Sequence, residues 1–164
     1  MKQLLFTLVF AVFALSSSAQ LLAPAHLAVS IGSELTIPGN SSYQLGIGAS
    51  VKLEFPIAKR MSISATGNFT HVFDNSNVIF GGDEFIPIKL GVRYYPISSL
   101  YVEGEGGVTL KTDIVQQQLA TFSIGSGVIA PLGKHGGLDM GFRYESWGGL
   151  LKQPIFRLAY RYGW

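Results

Sequence analysis

The feature that most constrains this chain is a two-residue alternation sustained over segments much longer than ordinary strands. At the carboxyl end, Phe156, Leu158, Tyr160, Tyr162 and Trp164 share one parity, and Arg157, Ala159, Arg161 and Gly163 share the other. Side chains two apart lie on the same face of a strand, so these residues divide into an apolar face and a polar face. Leu138, Met140, Phe142 and Tyr144 oppose Asp139, Gly141, Arg143 and Glu145 in the same way. The pattern predicts eight strands, near 26–37, 43–55, 61–73, 85–95, 100–110, 119–130, 137–146 and 154–164. Soluble strands run to about 5–6 residues. A tilted strand needs roughly 9–11 to cross a bilayer.

Composition points the same way. Charged residues make up 13% of the chain, against about 25% in soluble domains. Downstream of residue 20 no apolar run has the length of a membrane helix. The other structure that satisfies its own backbone polar groups in lipid is a closed barrel. The predicted fold is therefore all-β: an eight-stranded antiparallel up-and-down transmembrane β-barrel.

The amino end reads as a leader. Lys2 precedes the apolar run Leu4 to Leu15, and Ser17 and Ala19 place small residues where a signal peptidase cuts, before Gln20. The run is shorter than the roughly 20 residues of a spanning helix. The expected organisation is a signal peptide over 1–19, a short segment over 20–25 and the barrel over 26–164. The chain has no Cys, which excludes a disulfide framework, thiolate metal sites, a Cys nucleophile and a Cys-linked lipid anchor. No basic run or stripe suggests nucleic acid.

Punctuation divides the ends of the barrel. The second, fourth and sixth segments each run into a proline, Pro56, Pro96 and Pro131, before a tight turn. Proline donates nothing to a ladder and suits a strand end. The joins after the third, fifth and seventh segments read as longer and more polar, as in 74–84 and 111–118, while 38–42 is short. Brief periplasmic turns opposite longer loops are typical of outer-membrane barrels.

A soluble lipocalin-like barrel would show the same alternation with its faces exchanged. The charges decide between them. Glu34, Lys52, Glu54, Lys89, Arg93, Glu103, Glu105, Asp139, Arg143, Glu145, Arg157 and Arg161 all fall on the polar parity, six acids and six bases. A water-facing surface needs no such balance, but a narrow lumen does, because an unpaired buried charge costs several kcal/mol. The polar parity is also rich in Gly and Ser, which suits an eight-stranded lumen just wide enough for side chains. Aromatics near strand ends (Tyr43, Phe55, Phe73, Phe85, Tyr94 and Tyr101) are expected to form interfacial girdles.

With leader, eight segments, proline-ended turns and a last strand closing on Tyr160-Arg-Tyr-Gly-Trp164, the chain resembles the small outer-membrane β-barrel superfamily. That group includes the OmpA transmembrane domain, OmpX-like proteins and the outer membrane protein β-barrel domain of Bacteroidetes-type bacteria. The resemblance implies that Phe156, Leu158, Tyr160, Tyr162 and Trp164 form the signal read by the barrel-assembly machinery. It implies outer-membrane lipid and lipopolysaccharide as surroundings, periplasmic termini and a monomer.

The twelve balanced charges are the main candidate site. They would either close the lumen as a salt-bridge network, with a gate if pairings exchange, or simply neutralise and fill it. A lipid A-modifying enzyme would need a His beside a Ser and a carboxylate. The candidates are His26, His71 and His135, with His71 near Asp74 the best placed, and the His-x-Ser-Asn motif of barrel deacylases is absent. Gly104-x-Gly106-Gly107 has no following helix and is not a phosphate loop. No metal-ligand spacing occurs, and no cofactor is expected. Val78, Ile79 and Phe80 give the loop 74–84 an apolar tip that could recognise a partner or pack over the mouth. The expected role is a non-catalytic structural or interaction component with a charge-filled lumen, the alternatives being a small-solute or ion channel and the lipid A enzyme.

Overall fold

The computed structural model describes residues 27–40, 42–74, 82–112, 117–149 and 151–164. The signal-peptidase residues Ser17 and Ala19, the whole of 1–19 and 20–25, His26, and the loop tip Val78 to Phe80 lie outside them. The strands are β1 (Ala28–Thr36), β2 (Tyr43–Ala58), β3 (Met61–Asp74), β4 (Gly82–Ile97), β5 (Leu100–Lys111), β6 (Gln117–Leu132), β7 (Gly136–Trp147) and β8 (Leu151–Gly163). Each pairs antiparallel with its sequence neighbour, and β1 pairs with β8 from Ala28↔Gly163 to Thr36↔Ile155, which closes the barrel.

The barrel is inside-out relative to a soluble one. Ser30, Glu34, Lys52, Lys89, Arg93 and Arg143 are buried, while Ile124 and Phe122 are 73% and 68% exposed. The lipocalin-like alternative fails on that observation. Through the middle of the strands residues two apart share a fate, so an exposed belt of Ile, Leu, Val and aromatic side chains surrounds a polar interior.

Several strands run further than the sequence suggests. Pro56, Pro96 and Pro131 lie one or two residues inside β2, β4 and β6 rather than ending them. Two of the three sit at ladder irregularities, between Pro56 and Ala58 and between Tyr94 and Ile97. A bulge leaves one residue unpaired, which is where a missing N–H costs least. Pro87 lies inside β4, and the β3–β4 ladder passes from Gly67↔Ile88 to Thr70↔Phe85 without the two pairs between.

One end of the barrel, the turn end, carries the joins 59–60, 98–99 and 133–135; the loop end carries 37–42, 75–81, 112–116 and 148–150. The expectation of a longer join after the seventh strand is corrected. Gly148 and Gly149 both hold positive φ, 54° and 77°, the backbone of a tight hairpin that glycine adopts without strain.

Candidate functional site

The twelve charges of the polar parity come from six strands: β1, β2, β4, β5, β7 and β8. β3 and β6 contribute small neutral side chains instead, among them Ser62, Ser64 and Thr66 on β3 and Thr121 and Ser123 on β6, all buried. All twelve charged residues are buried, and all belong to one connected set of ion pairs.

Followed from pair to pair, the contacts close on themselves. Lys52 Nζ lies 2.6 Å from Glu103 Oε2, and Glu103 Oε2 lies 2.7 Å from Arg93 Nη2. Arg93 reaches Asp139 at 3.3 Å, and Asp139 reaches Arg157 at 3.1 Å. Arg157 is 3.7 Å from Glu34, the longest link, and Glu34 is 2.7 Å from Arg143. Arg143 meets Glu145 at 2.7 Å, Glu145 meets Lys89 at 2.5 Å, and Lys89 meets Glu105 at 3.2 Å. Glu105 returns to Lys52 at 3.0 Å. Five bases and five acids thus alternate around a closed ring. Glu54 and Arg161 form a branch from Arg93, at 2.6 and 3.3 Å.

Neutral side chains fill the remaining lone pairs and protons, as a buried charge requires. Asn68 Nδ2 donates to Glu34 at 2.6 Å, and Thr66 Oγ1 donates to Glu105 at 2.6 Å. Arg157 donates to Ser50 and Ser30, both at 2.9 Å.

Apolar clusters lie above and below this ring. At the loop end Val72, Phe85, Leu119, Trp147 and Leu151 pack together, with Tyr43 against them. At the turn end Tyr95, Tyr101 and Ile129 do the same. Their polar tips point at the ring and its branch: Trp147 Nε1 donates to Glu145 at 2.6 Å, Tyr95 to Glu54 at 2.5 Å and Tyr101 to Asp139 at 2.6 Å. The Arg93 guanidinium also stacks 3.7 Å over the Tyr101 ring, a favourable cation–π arrangement.

These clusters correct the expected girdles. Phe85 and Tyr101 face the lumen, and Tyr43 turns toward the mouth, where its hydroxyl donates to Asp83. A register shift between Tyr43 and Gly46 accompanies that turn. The signal for Phe85 and Tyr101 was available, because Phe85 shares parity with Lys89 and Arg93, and Tyr101 with Glu103 and Glu105. Phe55, Tyr94, Phe156, Leu158, Tyr160, Tyr162 and Trp164 are exposed on the outer belt.

Among the described residues, His71 and His135 lie apart from one another, at opposite ends of the barrel. His71 is on the outer face, its ring 4.8 Å from that of Phe73. His135, in the β6–β7 turn, has Nδ1 3.2 Å from the Gly163 carbonyl oxygen. Among the described residues no group of three His, Cys, Asp or Glu side chains could hold a metal ion.

No family model matches the chain, and no curated protein matches it in sequence. Solved structures do match in shape. Neisserial surface protein A superposes with a TM-score of 0.62 at 13% identity, over 84% of this chain and 97% of that one. OprG from Pseudomonas aeruginosa gives 0.61 at 13%, over 87% and 97%. The fold is that of the small outer-membrane β-barrels. Ail, the attachment invasion locus protein of Yersinia pestis, gives 0.59 at 15%, over 85% and 99%. The outer-membrane-barrel fold therefore spans the described chain, and its members at this distance share architecture rather than sequence.

Proposed function

We propose that this protein is a monomeric integral outer-membrane barrel with a sealed lumen, acting as a structural or interaction component and not as a conduit or an enzyme. The observation that carries this reading is the closed charge ring held between two apolar clusters. A pore needs water along its axis. Here the axis is occupied by side chains such as Lys52, Arg93, Asp139 and Glu145, none of them more than 1% exposed. Opening it would break pairs whose loss costs about 3–5 kcal/mol each once a buried charge is stranded.

The turn end, with both barrel termini, faces the periplasm, and the loop end faces outward, the arrangement usual for short turns and longer loops. The surroundings are outer-membrane lipid and lipopolysaccharide, and the aromatic belt on β8 is the segment offered to the barrel-assembly machinery. Planar-bilayer conductance of the refolded protein tests the sealed lumen. No steady current is expected from the native protein. Discrete openings that widen in Arg143→Ala and Arg157→Ala would replace this reading with a gated channel.

A further inference from the structure

We propose that a groove on the outer face of β8, β1, β2 and β3 seats one acyl chain of a lipid in the loop-side leaflet as a discrete bound ligand. This rests on the membrane reading above and names a specific partner for the outer face.

The strand register builds the groove. Ser33 pairs with Leu158 on one side and Ala49 on the other, and Ala49 pairs with Phe69. Across four strands the outward row therefore runs large, small, small, large. The next row toward the loop end, Phe156, Leu35, Ile47 and His71, is large throughout and forms a rim. Toward the turn end the next row is Tyr160, Ile31, Val51 and Gly67, and a Cβ on Gly67 would meet no atom within 4 Å, so that row is open at its β3 edge. The result is an open depression of about 650 Å³ lined by the row from Leu158 to Phe69 and the row from Phe156 to His71, within the roughly 300–1,000 Å³ of ordinary small-molecule sites. Glu34 and Arg157 also border it, but their side chains are buried in the lumen network.

The position selects the occupant. Ile31 and Val51 below the groove and Leu35 and Ile47 above it belong to the exposed apolar belt, so the medium in front of it is hydrocarbon. A flexible unbranched chain fills an elongated apolar depression without stranding a polar group. At the rim the His71 imidazole supplies a hydrogen-bonding nitrogen for a glycerol-ester or phosphate oxygen, at the end where a loop-side headgroup lies.

Native mass spectrometry of protein released from dimyristoyl-phosphatidylglycerol nanodiscs tests this. The native protein is expected to retain one lipid. Ala49→Phe and Ser33→Leu, which fill the groove with side chains suited to lipid, are expected to reduce the one-lipid species about tenfold, while Val108→Phe on β5 leaves it unchanged. Insertion is scored first, by heat-modifiable migration. A protein that does not insert overturns the membrane reading itself. An inserted protein that carries no defined lipid, that keeps it equally in Ala49→Phe, or that occupies the face with a second copy of the chain, overturns the groove alone.

Discussion

Among single residues, Arg93 has three ion-pair partners in the lumen network. It is fully buried, contacts Glu103, Glu54 and Asp139, and stacks on Tyr101. Arg93→Ala takes one cationic partner from each of three carboxylates and is expected to destabilise the barrel by about 3–5 kcal/mol, read from reversible urea unfolding in vesicles. Lys152→Ala, exposed at the loop end of β8, is expected to change stability by less than about 0.5 kcal/mol. Which charges face inward was legible from parity alone, because a period of two leaves a side chain only two directions. Their partners were not, since Lys52 and Glu103 come from strands that do not adjoin. Phe85 and Tyr101 were misread for a different reason: aromatic character near a strand end was weighed above the parity they share with the charges.

At the level of the strand, glycine has two separate uses. A Cβ on Gly107 would lie 2.0 Å from the Ile88 carbonyl oxygen, whereas one on Gly67 would meet nothing within 4 Å. Gly107→Ala is expected to cost about 1–3 kcal/mol through overpacking. Gly67→Ala is expected to be neutral or to stabilise by up to about 1 kcal/mol, because its added methyl faces open space and the unfolded chain loses freedom. Paired unfolding curves check both. The number and order of strands were readable because each carries its own alternation. The ends were not: Pro56 and Pro96 look like terminators in sequence, but adjacent bulges absorb their missing donors. The Gly148-Gly149 pair was the overlooked hairpin signal.

For the whole molecule, the proposed sealed lumen would rest on three layers in series: apolar cluster, charge ring and apolar cluster. Trp147→Ala combined with Phe85→Ala removes most of the loop-end cluster and leaves the ring. No conductance is expected from that variant in a planar bilayer, and a current there would show that the ring alone does not close the lumen. The shape matches known outer-membrane barrels at 13–15% identity. Very different sequences therefore reach this architecture, provided the inside and outside of each strand keep their parity.

The ring also ties electrostatic neutrality to the strand that closes the barrel. Arg157 and Arg161 both reside on β8, the last strand. A chain lacking that strand would hold six interior acids against four bases, with Asp139 and Glu34 each short of one neighbour in the circuit. Sheet closure through β1 and β8 and charge closure through Arg157 and Glu34 are thus one event. Until β8 docks, the interior carries surplus negative charge, so the closing strand brings the last ladders and the missing cations together.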